Sequence, residues 1–445
     1  MPAIESEFVS NELARCNRCG YCIRTCPTYR ATGSEASLAR SRNDLVRWIM
    51  RGRDEMLEEM HDRFFQCLLC GACTESCLTD VQTDEIMVEA REAYRRVHGE
   101  PWIQRFIFRE LLPNPGRLAT YVRLIAVGKN TGVSGLARAL GLLHVVSPKL
   151  ASAEAIVQKM PGRFFRDMLE DLGFGRAWDL PEGFSRLRPS SGAAGPRVGY
   201  FVGCGGNFQL PAAVADGVRL LSAGGCEVTV IPNVCCGMPP YSYGDREAAR
   251  ALARTNLATM AALDCDLIVT ECGSCSGFLK RYPRLLAETD LAPQAEALAA
   301  KVRDITEVLP DLTLPEPRPL YLRVTYHDPC HLGRKQSVKS QPRDLLKRLP
   351  GVEYVELPEA DWCCGGAGSF NLANPELSRH ILERKMGHVA STHADILVTS
   401  CPACVIQLSY GVRLAGLDMQ VRHLCEVLAE AHLEHGSPGS AARSW

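Results

Sequence analysis

Eight cysteines fall in two copies of one pattern, C-x2-C-x2-C-x3-C: Cys16, Cys19, Cys22 and Cys26, then Cys67, Cys70, Cys73 and Cys77. Ten more fall in two copies of another, a lone Cys, a Cys-Cys-Gly and a C-x2-C. These are Cys204, Cys235, Cys236, Cys272 and Cys275, then Cys330, Cys363, Cys364, Cys401 and Cys404. A thiolate is a soft, charged ligand that suits iron in a cluster, and one 4Fe–4S cubane takes four of them. Two-residue gaps let three successive sulfurs converge on three corners of a cube, and the fourth cysteine of such a run reaches across to the other cluster. By that rule Cys16, Cys19, Cys22 and Cys77 hold one cubane, and Cys67, Cys70, Cys73 and Cys26 the other. Zinc uses paired C-x2-C hairpins, but has no use for a regular third and fourth cysteine repeated twice. The expected chemistry is electron transfer at iron–sulfur clusters.

The elements that must position these sulfurs differ along the chain. A charged, helix-prone stretch at 36–65 separates the two compact runs. From 102 to 174 there are no cysteines, and apolar residues recur at helical spacing (Ile103, Phe106, Ile107, Leu111 and Leu112, then Tyr121, Leu124 and Ile125), which predicts helices. Residues 181–196, rich in Pro, Gly and Ser and without periodicity, read as a linker. Beyond it short apolar runs alternate with helical segments, at 212–221 and 246–263 among others. Runs at 197–202, 227–231 and 266–270 lead to Cys204, Cys235 and Cys272; runs at 323–327, 352–357 and 395–399 lead to Cys330, Cys363 and Cys401. Corresponding cysteines are offset by 126 (204 to 330), 128 (235 to 363) and 129 (272 to 401) residues, so an α/β unit is duplicated. Its ligands fall just past the ends of strands expected to be parallel, where open α/β sheets place their binding sites.

The expected fold class is therefore an α+β multidomain chain. It comprises a helical two-cluster ferredoxin domain (1–100), a helical connector (101–180), the linker (181–196), two duplicated α/β cysteine-rich domains (197–315 and 316–432) and a flexible tail (433–445). With 445 residues, 46% hydrophobic and 23% charged, the composition is that of a soluble globular protein. A net charge of −1 and a pI near 6.8 speak against nucleic acid or an anionic membrane as a general partner. The longest apolar stretches, 140–146 and 267–270, are too short to span a bilayer. The acidic N-terminus has no apolar secretory segment, so metal in a reducing cytoplasm is expected rather than disulfides.

Gly203-Cys204-Gly205-Gly206 follows a strand and has the look of a dinucleotide loop. Its duplicated counterpart, Asp328-Pro329-Cys330-His331-Leu332-Gly333, keeps only the cysteine, so the glycines are expected to give backbone clearance beside a cluster. No other segment offers a nucleotide or flavin signature, which places any flavin on another polypeptide. His327 and His331 flank Cys330, and Trp362 precedes Cys363; they are expected to hydrogen-bond cluster sulfur or pack locally rather than relay protons. Cys226, Cys265 and Cys425 belong to neither pattern and read as core residues.

With 40 residues between Cys26 and Cys67, the first region exceeds a compact two-cluster ferredoxin. It resembles the helical ferredoxin domain of the succinate dehydrogenase iron–sulfur subunit and of heterodisulfide reductase. Pro27 follows the first run as in the bacterial pattern, whereas Leu78 replaces that proline in the second, at no loss of a ligand. The motifs Cys235-Cys236-Gly237 and Cys363-Cys364-Gly365 resemble the CCG domain of heterodisulfide reductase, of the glycolate oxidase iron–sulfur subunit and of lactate-utilisation proteins. In heterodisulfide reductase each five-cysteine set holds a non-cubane 4Fe–4S cluster, and the two clusters face each other across the substrate disulfide. Many glycolate and lactate relatives lack the first cysteine of the C-x2-C, but this chain keeps both pairs, Cys272/Cys275 and Cys401/Cys404.

From about residue 10 to 430 the layout, including the Leu111-Leu112-Pro113-Asn114-Pro115 turn, resembles the glycolate oxidase iron–sulfur subunit. The resemblance implies a subunit of an oxidoreductase complex with two 4Fe–4S cubanes and one or two further 4Fe–4S clusters, cubane or non-cubane. It implies a partner dehydrogenase, containing FAD, that oxidises a 2-hydroxy acid. It also implies a downstream acceptor, whether the quinone pool, an electron-transfer flavoprotein or a membrane subunit, through which the chain could sit peripherally on a membrane. The alternative is a heterodisulfide-reductase-type subunit that reduces a disulfide at the CCG clusters. A zinc-held scaffold without redox activity is the third reading.

Overall fold

Two parallel sheets of the same strand order carry the second half of the molecule. The computed structural model describes residues 4–139, 154–157, 159–189 and 195–434; the apolar stretch at 140–146 and the tail from 435 lie outside them. The strands are β1 (Gly175–Arg176), β2 (Ser185–Leu187), β3 (Arg197–Tyr200), β4 (Glu227–Val230), β5 (Leu267–Thr270), β6 (Val302–Asp304), β7 (Leu322–His327), β8 (Val352–Tyr354), β9 (Ile396–Thr399) and β10 (Gln420–His423). The first sheet runs β1-β2-β4-β3-β5-β6 and the second β10-β9-β7-β8. Removing the antiparallel β1-β2 hairpin leaves the same four-stranded parallel order in each. Registers agree as well: Tyr200 pairs with Val269 in the first sheet, and Tyr326 with Val398 in the second. The central strands β3, β4, β5, β7 and β9 are short, rich in β-branched residues and mostly buried, as sheets covered by helices on both faces require.

Each expected cysteine-bearing run forms a strand, but β6 and β10 are additional. Both are short and carry an arginine, so neither alternates in hydrophobicity. A sequence signal nevertheless marks their ends, since each runs into a capping box, Asp304 with Glu307 and His423 with Glu426. The Pro/Gly/Ser-rich stretch read as a linker contributes β2, which pairs antiparallel with β4 through Ser185, Arg186 and Leu187.

In the first region, helices Glu7–Arg15, Ala39–Met50 and Thr83–His98 close over Val9, Leu13, Val46, Ile49, Ile86 and Met87. Helix Thr83–His98 has Asp84 and Glu85 in its first turn and Arg95, Arg96 and His98 in its last, matching the helix dipole. Those two acids hold one repeat each. Asp84 pairs with Lys335 of the second, while Glu85 accepts from Tyr241 Oη (2.6 Å) and pairs with Arg281 of the first. Burial opposes ionisation of Glu85, but Arg281 and Arg284 outweigh it and hold the carboxyl down at about 2. In the connector, Trp102–Phe106 and Pro115–Asn130 are helical. Asn114 Oδ1 caps the latter, accepting from Arg117 N (3.0 Å), with Pro115 at its first position.

Candidate metal centres

Both compact runs bend through the same pair of left-handed residues. Arg18 (φ 54°) and Gly20 (φ 85°) flank Cys19; Leu69 (φ 54°) and Gly71 (φ 71°) flank Cys70. A non-glycine residue in this region costs on the order of 1 kcal/mol or more, a strain that the loop accepts in wrapping its sulfurs around one point. The loops line two cavities. One of about 90 Å³ holds Cys16, Cys19, Cys22, Cys73 and Cys77. A smaller one of about 20 Å³ holds Cys26, Cys67, Cys70 and Cys73. Cys77 thus sits with the first run, Cys26 with the second, and Cys73 borders both.

Polar side chains point at these sulfurs. Asn43 Nδ2 lies 3.8 Å from Cys16 Sγ, Thr28 Oγ1 3.2 Å from Cys26 Sγ, and Arg42, buried to 2% exposure, 4.0 Å from the same sulfur. Arg91 is also buried and donates to the carbonyls of Phe64 (2.8 Å) and Cys67 (2.6 Å), which fixes the entry to the second run. Leu78, standing where the first run has its proline, is exposed at the rim of the first cavity.

In the repeats the patterned cysteines follow the C-terminal ends of β3, β4, β5, β7, β8 and β9. Cys204 and Cys330 open helices Cys204–Gln209 and Cys330–Gln336; Cys272 and Cys401 are the N-caps of Gly273–Leu279 and Pro402–Ala415. The glycines of the Cys-Cys-Gly motifs are left-handed, Gly237 at φ 101° and Gly365 at φ 85°. A Cβ on Gly365 would stand 2.8 Å from the Ser378 carbonyl, so no other residue makes this turn. The ten thiols form one unbroken series of interacting neighbours. It runs Cys204, Cys235, Cys236, Cys275, Cys272 in the first repeat, then Cys401, Cys404, Cys364, Cys363, Cys330 in the second. The crossing point is Cys272 beside Cys401, where Gly273 N donates to the Ser400 carbonyl (3.3 Å) and Ser274 Oγ lies 3.7 Å from Cys401 Sγ.

The second compact run abuts the second repeat. Cys70 packs with Cys363 in one apolar cluster with Leu68, Phe370 and Ile381, and Cys330 lies against it. Arg334, paired with Glu75 and Asp361, places its charge near both Cys70 and Cys330. Burial pushes the Cys70 thiol up to about 12, and contact with Cys235 followed by burial lifts Cys204 well above the ordinary thiol range. Burying several thiolates together is costly unless a cation sits among them. Soft donors in sets of four and five, converging without disulfides, fit iron–sulfur clusters.

The glycines after β3 do supply clearance: a Cβ on Gly203 would stand 3.0 Å from Cys275 Sγ. His331 reaches out of its own repeat, its Nε2 3.4 Å from the Leu69 carbonyl. His327 Nδ1 and Trp362 Nε1 are buried without a hydrogen-bond partner among the described residues. Cys226, Cys265 and Cys425 lie in the hydrophobic core. Two groups behind the sulfurs carry no motif of their own. Asn256 donates to the Cys235 carbonyl (3.0 Å), and fully buried Lys385 donates to the Ala360 carbonyl (3.1 Å). Overlaying the two repeats at their common offset would have brought these positions together, since 256 and 385 differ by the same 129 residues as Cys272 and Cys401.

Comparison with known families agrees with this geometry. The 4Fe-4S dicluster domain matches residues 12–81, the cysteine-rich domain matches 198–280 and 324–409, and the linker region of the glycolate oxidase iron-sulfur subunit matches 99–157. A probable glycolate oxidase iron-sulfur subunit of Bacillus subtilis is 33% identical over 97% of both chains. A subunit of the dihydromethanophenazine:CoB–CoM heterodisulfide reductase of Methanosarcina barkeri is 28% identical over 94% of both. Lactate utilization protein A of Oceanobacillus iheyensis is 34% identical over 54% of this chain and 99% of its own. Among the described residues no helix is long and apolar enough to cross a membrane. With a full-length relative at this identity and all three parts in matching order, the chain belongs to the family of the glycolate oxidase iron–sulfur subunit, iron–sulfur oxidoreductases that join a dicluster domain to two cysteine-rich repeats.

Proposed function

We propose that this chain is the electron-carrying subunit of a complex that oxidises a 2-hydroxy acid of the glycolate or lactate type on a partner FAD subunit. The observation that carries the reading is the continuous path of sulfur. Exposed Cys19 lies on the first cavity, Cys73 borders both cavities, Cys70 abuts the second repeat, and Cys401 meets Cys272 of the first. In this reading Cys16, Cys19, Cys22 and Cys77 hold one cubane, Cys67, Cys70, Cys73 and Cys26 the next, and each five-cysteine set one further 4Fe–4S cluster. Bound there, the clusters supply one-electron carriers. The protein's own part is to exclude water, to orient thiolates at helix N-termini, and to offer donors such as Asn43, Thr28 and Arg42 to sulfur. The glycolate oxidase linker match over the connector supports the hydroxy-acid partner, with the acceptor a quinone, an electron-transfer flavoprotein or a membrane subunit.

A second reading, a catalytic subunit that reduces a disulfide at the repeats, draws on the heterodisulfide reductase relative and on the two complete thiol sets facing each other. The direct backbone bond from Gly273 to Ser400, with Leu332 packed on Gly273, fills the space between the sets with protein and favours the relay. The test is to purify the chain anaerobically with its flavoprotein partner and to assay two activities, hydroxy-acid oxidation to an acceptor and viologen-driven reduction of a small heterodisulfide. The relay predicts the first activity alone. Heterodisulfide turnover by wild type, or stoichiometric flavin on the isolated chain, overturns it.

A further inference from the structure

The two repeats offer matching sets of five sulfurs but not the same donors. Tyr200 and Tyr326 occupy one register position, so the next residue is Phe201 in the first repeat and His327 in the second. His327 is the last residue of β7, opposite Thr399, and is 1% exposed. Its Nδ1 has no hydrogen-bond partner, an unusual state for a buried imidazole nitrogen. Its ring nitrogen, Cys364 Sγ and Cys404 Sγ all lie within 4.8 Å of one another, the one triad of this closeness among the described residues. Cys364 and Cys404 are 3.8 Å apart at sulfur. Two ligands on one tetrahedral metal with bonds of about 2.3 Å are separated by about the same distance. In the first repeat the equivalent Cys236 and Cys275 also neighbour one another, but a phenyl ring stands where the imidazole would be.

We propose that His327 is a metal ligand: beside Cys364 and Cys404 it joins the residues that hold iron of the second-repeat cluster, which makes that centre a mixed thiolate–imidazole site beside an all-thiolate twin. The proposal rests on the cluster reading for the second repeat and adds a ligand to it. The imidazole is neutral, so it adds a donor without adding charge, whereas a sixth thiolate at that point would make the cluster more negative and lower its reduction potential.

The test uses the full chain, purified anaerobically with ¹⁵N-labelled histidine and examined by pulsed EPR of its reduced clusters. Wild type is expected to show a strongly coupled histidine nitrogen. His327→Phe, which copies the first repeat, should lose that coupling while the signals of the two dicluster-domain clusters persist. His327→Cys should restore a full cluster with no nitrogen coupling and a lower midpoint potential. A wild-type spectrum without a strongly coupled histidine nitrogen overturns the proposal whether or not the variants fold, and so does a coupling that survives His327→Phe. Iron present at the second repeat with sulfur ligation alone sinks this inference and spares the cluster reading; no metal at the second repeat sinks both.

Discussion

Behind the paired cysteines of the first repeat stands Asn256; behind those of the second, at the same point of the corresponding helix, stands Lys385. Both tie down the loop that carries the pair. Asn256 accepts from Val234 N (3.1 Å) and donates to the Cys235 carbonyl, whereas Lys385 donates to the carbonyls of Glu359 and Ala360. Only the lysine brings a charge. Burial pushes it down to about 8, with Cys364 and Asp361 pulling the other way. At the far side of the site the signs reverse. Glu271 of the first repeat accepts from Tyr200 Oη (2.8 Å), and burial lifts its carboxyl to about 7; its counterpart Ser400 meets Tyr326 Oη (3.0 Å). Duplication has therefore kept the strands and sulfurs while changing the field around them, acid near one site and cation near the other. Two centres built from matching sulfurs need not share a potential.

Removing a ligand is the most severe way to break this pairing. Cys364→Ala, or its equivalent Cys236→Ala, should abolish one repeat's cluster and cut transfer from hydroxy acid to acceptor by about 100-fold or more, because even supporting residues are worth about 10- to 100-fold. The flavin of the partner should remain reducible by substrate, which stopped-flow absorbance would show; unimpaired transfer would mean that the repeat lies off the path.

Next in size is the anchoring of the repeats to the first region. Glu85→Gln leaves half-buried Arg281 without its nearest counter-charge and should destabilise the chain by about 1–3 kcal/mol, read as a fall in the denaturant midpoint. Glu85 titrates at about 2 when folded, below the ordinary 4.5, so its stabilisation is complete above about pH 4.5 and fades as pH falls toward 2. The Gln variant should lose less stability than wild type on acidification across that window. Asp84→Asn should loosen the second repeat instead, which hydrogen exchange mapped onto 330–336 would distinguish.

Lys385→Asn, which makes the second repeat resemble the first, should lower the potential of its cluster by tens of mV, with iron content unchanged. Equal midpoints in wild type and variant would show that the charge is screened. The smallest effect is expected at the junction. Gly273→Ala places a Cβ 2.8 Å from that of Leu332 and should cost about 1–3 kcal/mol while slowing transfer between the repeats.

Much of this was legible in the sequence, and the exceptions have a common cause. The six strands that lead to cysteines follow from apolar runs, and the helices within 36–65 follow from its helix-prone composition. β6 and β10 carry no such signal because three- and four-residue strands with an arginine inside owe their form to pairing with β5 and β9. β2 hid in a Pro- and Gly-rich stretch because a strand of three residues, held by pairing with β4, needs no apolar alternation of its own.

Sulfur spacing alone determined which cysteines could share a compact site, since two-residue gaps limit how far successive side chains can diverge. It also established the duplication. Only the tertiary structure decided that Cys272 meets Cys401, that Cys70 abuts Cys330 and Cys363, and that His327 rather than His331 faces Cys364 and Cys404. These contacts join residues far apart in sequence. They depend on how helices dock over one glycine, Gly273, and on which side chain a strand end turns inward.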